Sequence, residues 1–440
     1  SVPAEALAER TGALTASSLA TIVYTSGTTG TPKGTVLSHG NFTDLCTNAH
    51  QWIPEIAMGR DSRLLLFLPL AHVFARFLEV FQISGQGVIG HVPDTKNLLS
   101  DLATFRPSYL LVVPRVLEKI YNSADARAGS GSARTVFRWA AKVAVDYSRS
   151  LDGPAGPSRA LRAQRALADR LVFQRIRTLV GGNVDWIISG GAPLSQRLAH
   201  FYRGLGIPVL EGYGLTETVG PVSVNTPRLS KIGTVGPPLP PVAVRVAEDG
   251  EILVKGPSVF QGYHNDIEAT AAALTPDGWF RTGDLGSLDR DGYVRITGRA
   301  KDIIVTAGGK NVAPAILEDR LRGHPLVSQV LVVGDGRPCI GALITLDAEM
   351  LPLWLASHGL EDMDPVEAAQ DPRIRAALER AVARANEAVS RAESIRTFTV
   401  LPGDFTVANG LLTPSLKVRR AQARERFAEE IDALYTRALR

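Results

Sequence analysis

The chain has 440 residues, a formal net charge of +4, 45% hydrophobic and 21% charged residues, which is ordinary for a globular enzyme of two or three domains. Cys46 and Cys339 lie far apart with no CxxC spacing, so neither a disulfide framework nor a zinc site is suggested, and reduced thiols in a cytoplasmic setting are expected. The longest apolar run, Leu64 to Phe74, is interrupted by Pro69 and His72 and falls well short of the ~20 residues of a membrane span; no signal-peptide pattern opens the chain.

Residues 1–18 are rich in Ala and Glu, helical at best, and read as a linker or a truncated edge. Leu19 to Tyr24 (LATIVY) is apolar and β-branched, so a strand is predicted, leading into Tyr24-Thr-Ser-Gly-Thr-Thr-Gly-Thr-Pro-Lys-Gly34. Glycines there let successive N–H groups converge on an oxyanion, hydroxyls add donors, and Lys33 adds a mobile cation. The common nucleotide loop needs a hydroxyl residue directly after its lysine, and here Gly34 stands in that place. Pro32 and Gly34 also argue against a helix starting at Lys33.

From residue 19 to about 120, short apolar runs alternate with amphipathic stretches such as 41–57, the pattern of a parallel sheet with covering helices; Asn41 is read as a helix N-cap. Residues 123–180 are predicted as two long helices flanking a loop. Within them, residues 125–177 carry ten Arg and one Lys against four Asp, a net of +7. The β/α pattern returns at Val184. Residues 232–299 read as all-β, and the pattern resets after Arg299 into a small α+β unit at 300–440. No nucleic-acid motif or aromatic-interleaved basic surface is present.

Four further stretches carry chemistry. In Glu211-Gly-Tyr-Gly-Leu-Thr-Glu-Thr218 a tyrosine between glycines offers a flat face for a purine, and Glu217 offers a carboxylate for magnesium. The Thr-Gly-Asp turn ending at Asp284 suits a ribose diol. Gly298-Arg-Ala-Lys-Asp302 marks the domain boundary, and Gly410-Leu-Leu-Thr-Pro-Ser-Leu-Lys417 places a lysine on a loop that could reach another domain. Each alone also reads as a flexible turn, a solvated acid, a charged linker or a surface lysine.

Together, in this order, YTSGTTGTPKG, EGYGLTET, WFRTGDL, GRAKDIIVTAGGKNVAP and LLTPSLKV resemble the adenylate-forming acyl-CoA synthetase superfamily, from about residue 19 to the C-terminus. LPLAHVFAR, the Arg-rich insertion before SGGAPLS, and GKNVAP are most similar to long-chain fatty acid–CoA ligases. The resemblance implies an α/β fold. A large N-terminal domain of mixed and parallel sheets with helices (19–299, β-rich from about 232) would be followed by a small mobile α+β C-terminal domain (300–440). Relatives carry substantially more chain before the phosphate loop, so an upstream part of the acyl-pocket domain is expected to be missing.

The implied activity is ATP-dependent acyl-adenylate formation, releasing pyrophosphate, followed by thioester formation with CoA. ATP, Mg2+, CoA and a fatty acid would be the ligands. Thr25, Ser26, Gly27, Thr28, Thr29, Gly30 and Lys33 would hold the pyrophosphate end of ATP, with Thr28 and Glu217 on the metal. Gly191, Ala192, Pro193 and Tyr213 would line the adenine, with Glu211, Gly212, Gly214 and Thr216 completing the nucleotide site and Asp284 and Arg299 holding the ribose. Lys417, Glu217, Lys33 and Thr216 would be catalytic, Lys301 the hinge, Gly308, Gly309 and Lys310 the border of the CoA channel. His72, Val73, Phe74 and Arg76 would lie at the acyl pocket, Arg76 where some relatives have a tryptophan gate. Segment 125–177 either contacts an anionic membrane, giving a cytoplasmic protein peripheral at the inner membrane face, or simply keeps its helices soluble. The alternatives are an acyl-AMP ligase loading a carrier protein, a phosphate-loop NTPase, and a truncated non-catalytic acyl-nucleotide binder. Oligomeric state is not legible.

Overall fold

A computed structural model describes residues 3–25, 32–58, 61–94, 97–129, 131–413 and 417–438. Its centre is a six-stranded sheet in the order Val88–His91, Arg63–Leu66, Tyr109–Val112, Trp186–Ser189, Val209–Gly214, Pro221–Val224. Five strands are parallel and the last is antiparallel to its neighbour. Because successive side chains alternate faces, these apolar strands feed two cores. Leu64, Tyr109, Leu111, Ile188 and Leu210 join one, with Phe42, Leu45, Phe77 and Phe81 from helices His39–Trp52 and Val73–Ser84. Leu65, Leu110, Val112, Ile187 and Val209 join the other, with Leu117, Phe137, Ala144, Phe201 and Tyr202 from helices Pro114–Arg127, Ser132–Leu151 and Gln196–Leu205.

Two expectations in this region change. Leu19–Thr25 does not join the parallel sheet: it forms an antiparallel hairpin with Lys33–Ser38, which pairs in turn with Gly262–Tyr263. Pro32 and Gly34 permit that hairpin as readily as they oppose a helix. The N-cap of His39–Trp52 is Ser38 rather than Asn41; Asn41 is the third helical residue and closes a capping box, its side chain accepting from the Ser38 N–H at 2.9 Å. The Arg-rich segment comprises Ser132–Leu151 and a helical run over 159–179 (Arg159–Ala168, one π-turn at Asp169–Phe173, Gln174–Leu179).

The β-rich part is a four-stranded antiparallel sheet, Val294–Arg299, Phe280–Leu288, Glu251–Lys255, Ala243–Val246, with one short helix, Ile267–Ala273. Its Ile252, Val254, Phe280 and Val294 enter the first core, so it is welded to the central sheet. After the single helical turn Ala300–Asp302, a second unit is built on Val327–Val333, Ile340–Leu346 and Ile395–Leu401. Ile340, Ala342 and Ile344 pack against helices Pro314–Arg322 and Pro372–Asn386 on one face. Leu343 and Leu401 pack against Leu411, Leu412, Ala423 and Leu434 on the other, which supports the segment carrying Lys417. Among the described residues, no helix is long and apolar enough to cross a membrane.

Candidate functional site

The edge of the site is set by the hairpin ends. Thr25 and Lys33 are cross-strand partners, and the Thr25 hydroxyl donates to the Lys33 carbonyl at 3.4 Å. Ser26, Gly27, Thr28, Thr29 and Gly30 lie outside the described residues. The Lys33 ammonium sits 5.0 Å from the centre of the Tyr263 ring, a cation–π distance. The Tyr263 hydroxyl donates to Glu217 Oε1 at 2.8 Å, and burial followed by the Glu217 charge pushes that phenol well up, so it stays a donor.

Beside this group runs the strand Val209–Gly214. Gly214 must be glycine: a Cβ there would fall 1.8 Å from the Gly220 carbonyl oxygen, where the chain doubles back through the turn Thr216–Thr218. That turn carries Thr216 and Glu217, both half-buried. The Tyr213 hydroxyl donates to Asp284 Oδ2 at 2.7 Å, and Arg299 Nε donates to Oδ1 at 2.8 Å. Asp284 and Arg299 are cross-strand partners, and the Asp284 N–H is held by the Thr282 hydroxyl, so the carboxylate is fixed on the strand Phe280–Leu288 rather than in the expected turn, only 5% exposed. Burial, then the Asp284 charge, pushes the Tyr213 phenol well up.

Gly191, Ala192 and Pro193 form an exposed loop above this set, Gly191 at φ +82°, a conformation glycine adopts without strain. Gly212 packs closely, its missing Cβ 3.3 Å from the Ser223 carbonyl oxygen. Glu211 faces inward: its carboxyl accepts the N–H groups of Leu194 and Gly233, and burial outweighs those bonds, pushing it up to about 8. Val73 is buried in the first core, and Phe74 packs on Gly190, its ring within 3.1 Å of where a Cβ would lie. Arg76 does not extend freely; its Nε donates to the Leu70 carbonyl at 3.2 Å. His72 precedes helix Val73–Ser84, and burial, then the Lys417 charge, holds its ring below the ordinary imidazole range.

Lys417 reaches this group from the second unit. Solvent touches its side chain, yet protein crowds it. Desolvation, then repulsion from Arg299, holds the ammonium below the ordinary lysine value of 10.5, while Asp284 and Glu217 pull the other way. Crowding sets the direction, because a charge responds to all the low-dielectric matter around it and not only to its contact surface. Just beyond, Arg420 pairs with Glu318 at 2.6 Å and with the Val332 carbonyl at 2.8 Å, anchoring the segment. Lys301 is exposed in the connecting turn. Gly308, Gly309 and Lys310 form an exposed hairpin tip with Lys310 paired to Glu393 at 3.3 Å.

Glu217 suits a hard cation: one oxygen is oriented by Tyr263, and among the described residues no donor is paired with the other. Among those residues no three His, Cys, Asp or Glu side chains gather into a metal-holding group, so a cation at Glu217 would take most of its oxygens from other donors, such as a bound phosphate. Tyr263 and Arg420 carried no sequence signal; each acts through partners remote in the chain.

Residues 2–264 match the AMP-binding enzyme family, and residues 301–439 match the AMP-binding enzyme C-terminal domain. The long-chain-fatty-acid–CoA ligase FadD15 of Mycobacterium tuberculosis is 49% identical over 436 residues, 99% of this chain and 72% of that ligase. The peroxisomal long chain acyl-CoA synthetase 7 of Arabidopsis thaliana is 33% identical, over 95% of this chain and 61% of that protein. Among solved structures, the adenylation domain of a carboxylate reductase from Mycobacterium chelonae matches at a TM-score of 0.72 and 25% identity, covering 96% of this chain and 60% of that one.

Proposed function

The chain belongs to the AMP-binding enzyme family, and from that premise we propose how it works as an AMP-forming long-chain fatty acid–CoA ligase. Its substrates are a fatty acid, ATP and CoA, with Mg2+ as cofactor. A carboxylate is a poor electrophile, so one of its oxygens attacks the α-phosphorus of ATP. The bond to the β-phosphate breaks, and pyrophosphate leaves with that electron pair. Two anions must meet, which makes the barrier chiefly one of charge and position. Lys33 and Lys417 bring cations from the two domains. Thr28 and Glu217 would hold Mg2+, which neutralises charge on the phosphate oxygens. The Asp284 carboxylate, already oriented by Tyr213 and Arg299, keeps lone pairs for a ribose diol.

One observation carries this reading. Lys417 of the second unit stands in the electrostatic field of Arg299, Asp284, Glu217 and His72, residues from separate segments of the first. Such an arrangement supports adenylate formation, which needs a cation where carboxylate and phosphate meet. In the second step the CoA thiol attacks the acyl carbon and AMP leaves. A swing of the small domain about Lys301 would withdraw Lys417 and bring Gly308, Gly309 and Lys310 to the channel.

A finer part of the reading concerns the protein's surroundings, a cytoplasmic chain that touches the inner membrane face. Along 159–179, Leu167, Leu171 and Leu179 are exposed, as are Arg162, Arg170 and Arg175, a mixture of apolar and cationic side chains that suits an anionic bilayer. Co-sedimentation with vesicles should rise with anionic lipid and fall with salt; indifference to both removes the membrane part alone. The core reading is tested by product analysis over a fatty-acid series with and without CoA. AMP and pyrophosphate are expected, whereas ADP and phosphate would overturn it.

A further inference from the structure

Glu217 is held at both ends by one short segment. The Phe260 N–H donates to the Glu217 carbonyl at 2.8 Å, and three residues on, the Tyr263 hydroxyl donates to its carboxylate at 2.8 Å. The segment itself is stiff. Phe260 contacts Tyr263 edge-on at 4.9 Å between ring centres and rests on Phe280 at 5.4 Å. Tyr263 pairs with Thr35 of the Lys33–Ser38 strand, and its N–H is bound by the Thr270 hydroxyl at 2.9 Å. The same ring carries the Lys33 ammonium 5.0 Å from its centre. Tyr263 therefore touches both the acid and the cation that flank the phosphate loop.

A glutamate and a lysine that share one tyrosine as partner would, if unrestrained, lower their energy by pairing, which would neutralise the two groups the reaction needs apart. Among the described residues Lys33 and Glu217 form no ion pair; each is engaged by Tyr263 instead. We propose that Tyr263 is a positioning residue for adenylate formation, which aims the Glu217 carboxylate with its hydroxyl and parks the Lys33 ammonium on its ring, so that both remain available to a Mg2+–triphosphate. The proposal rests on the ligase reading above and goes beyond it in assigning the spacer.

The two halves of the role separate by substitution. Tyr263→Phe keeps the ring and its packing but loses the hydroxyl; Tyr263→Leu loses the cation site as well. Binding of a fluorescent ATP analogue, titrated with Mg2+, reads the first half. For Tyr263→Phe the Mg2+ concentration for half-maximal binding should rise about tenfold, the usual scale for removing an outer hydrogen bond to a metal ligand. Analogue affinity at saturating Mg2+ and Tm should stay as in the unaltered protein. Tyr263→Leu should in addition weaken analogue binding at saturating Mg2+. Both variants should make thioester from supplied acyl-AMP at the unaltered rate. An unchanged Mg2+ midpoint in Tyr263→Phe overturns the proposal, as does a lowered Tm with equal loss of both half-reactions. If the unaltered protein itself binds the analogue without regard to Mg2+, the reading underneath fails, and the proposal with it.

Discussion

Arg115, on the helix Pro114–Arg127, donates across the domain boundary to Asp347 Oδ2 at 2.7 Å. The same guanidinium reaches the carbonyls of Arg322 at 3.3 Å and Val327 at 3.1 Å, and Lys119 meets Glu349 at 2.7 Å one turn further on. The Asp347 side chain is only 6% exposed, so this is a largely desolvated contact between two bodies that each have their own core. The contact is made in the same arrangement in which Lys417 stands near Arg299, Asp284 and Glu217. Breaking such a pair by removing one partner costs about 3 kcal/mol, more than a hundredfold in the population of the oriented state.

Arg115→Ala should therefore slow adenylate formation at least tenfold. Thioester formation from supplied acyl-AMP should change less than twofold, because the proposed swing would already have broken the contact. The two half-reactions, measured separately with Tm as a control, decide it. Equal losses in both would show that Arg115 serves general stability instead.

Asp284 accepts from Tyr213 and Arg299 on separate oxygens, so its substitution unfastens two strands' worth of site at once. Asp284→Asn turns one acceptor into a donor facing a donor, and KM for ATP should rise ten- to a hundredfold. Tyr213→Phe removes one bond of about 1 kcal/mol and should raise KM about fivefold. Steady-state kinetics on both variants checks the order; a Tyr213→Phe effect as large as the Asp284→Asn effect would contradict this account.

How much of this could be read from the chain follows the range of each interaction. Lys33, Glu217, Asp284 and Lys417 sit in compact strings whose residue types suit phosphate, metal and ribose, and the resemblance of those strings extended to the fold. The two cores were foreshadowed by apolar strands such as Tyr109–Val112, buried on both faces. The partners were not legible. Tyr263 meets Glu217 across 46 residues and Arg115 meets Asp347 across 232, and no local pattern announces such a pairing. Asn41 was misassigned by one turn because Ser38 and Asn41 both suit a helix start, and only the reciprocal bonds distinguish their positions.

Glu211 gives a stability test that does not depend on turnover. Its carboxyl is pushed up to about 8 in the folded chain from an ordinary 4.5, chiefly by burial. Between those values the folded chain holds a proton that the unfolded chain has lost. The contribution is thus fully present below the lower value and is lost as pH rises through the upper one, at about 1.4 kcal/mol per unit. Tm should decline as pH rises from about 4.5 to about 8, and Glu211→Gln should flatten that decline. Parallel Tm-against-pH curves for the two proteins would remove Glu211 as its source.

Lys417 gives the complementary test in the reaction. Crowding, then the Arg299 charge, holds its ammonium below the ordinary 10.5, so it loses its proton at lower pH than a solvated lysine would. Adenylate formation, which needs the cation, should fall on the alkaline side with a midpoint below 10.5, whereas thioester formation from supplied acyl-AMP should lack that limb. Lys417→Ala should lower adenylate formation by about a hundredfold or more, the scale of losing one oriented charge at a developing phosphate anion, and should abolish the limb. Lys417→Arg keeps a cation that does not titrate in this range, so its residual activity should run flat to higher pH. The decisive comparison is the pH profile of pyrophosphate release for the unaltered protein and Lys417→Arg. If both fall together, the titrating group is elsewhere, and Lys417 acts by position without setting the pH dependence.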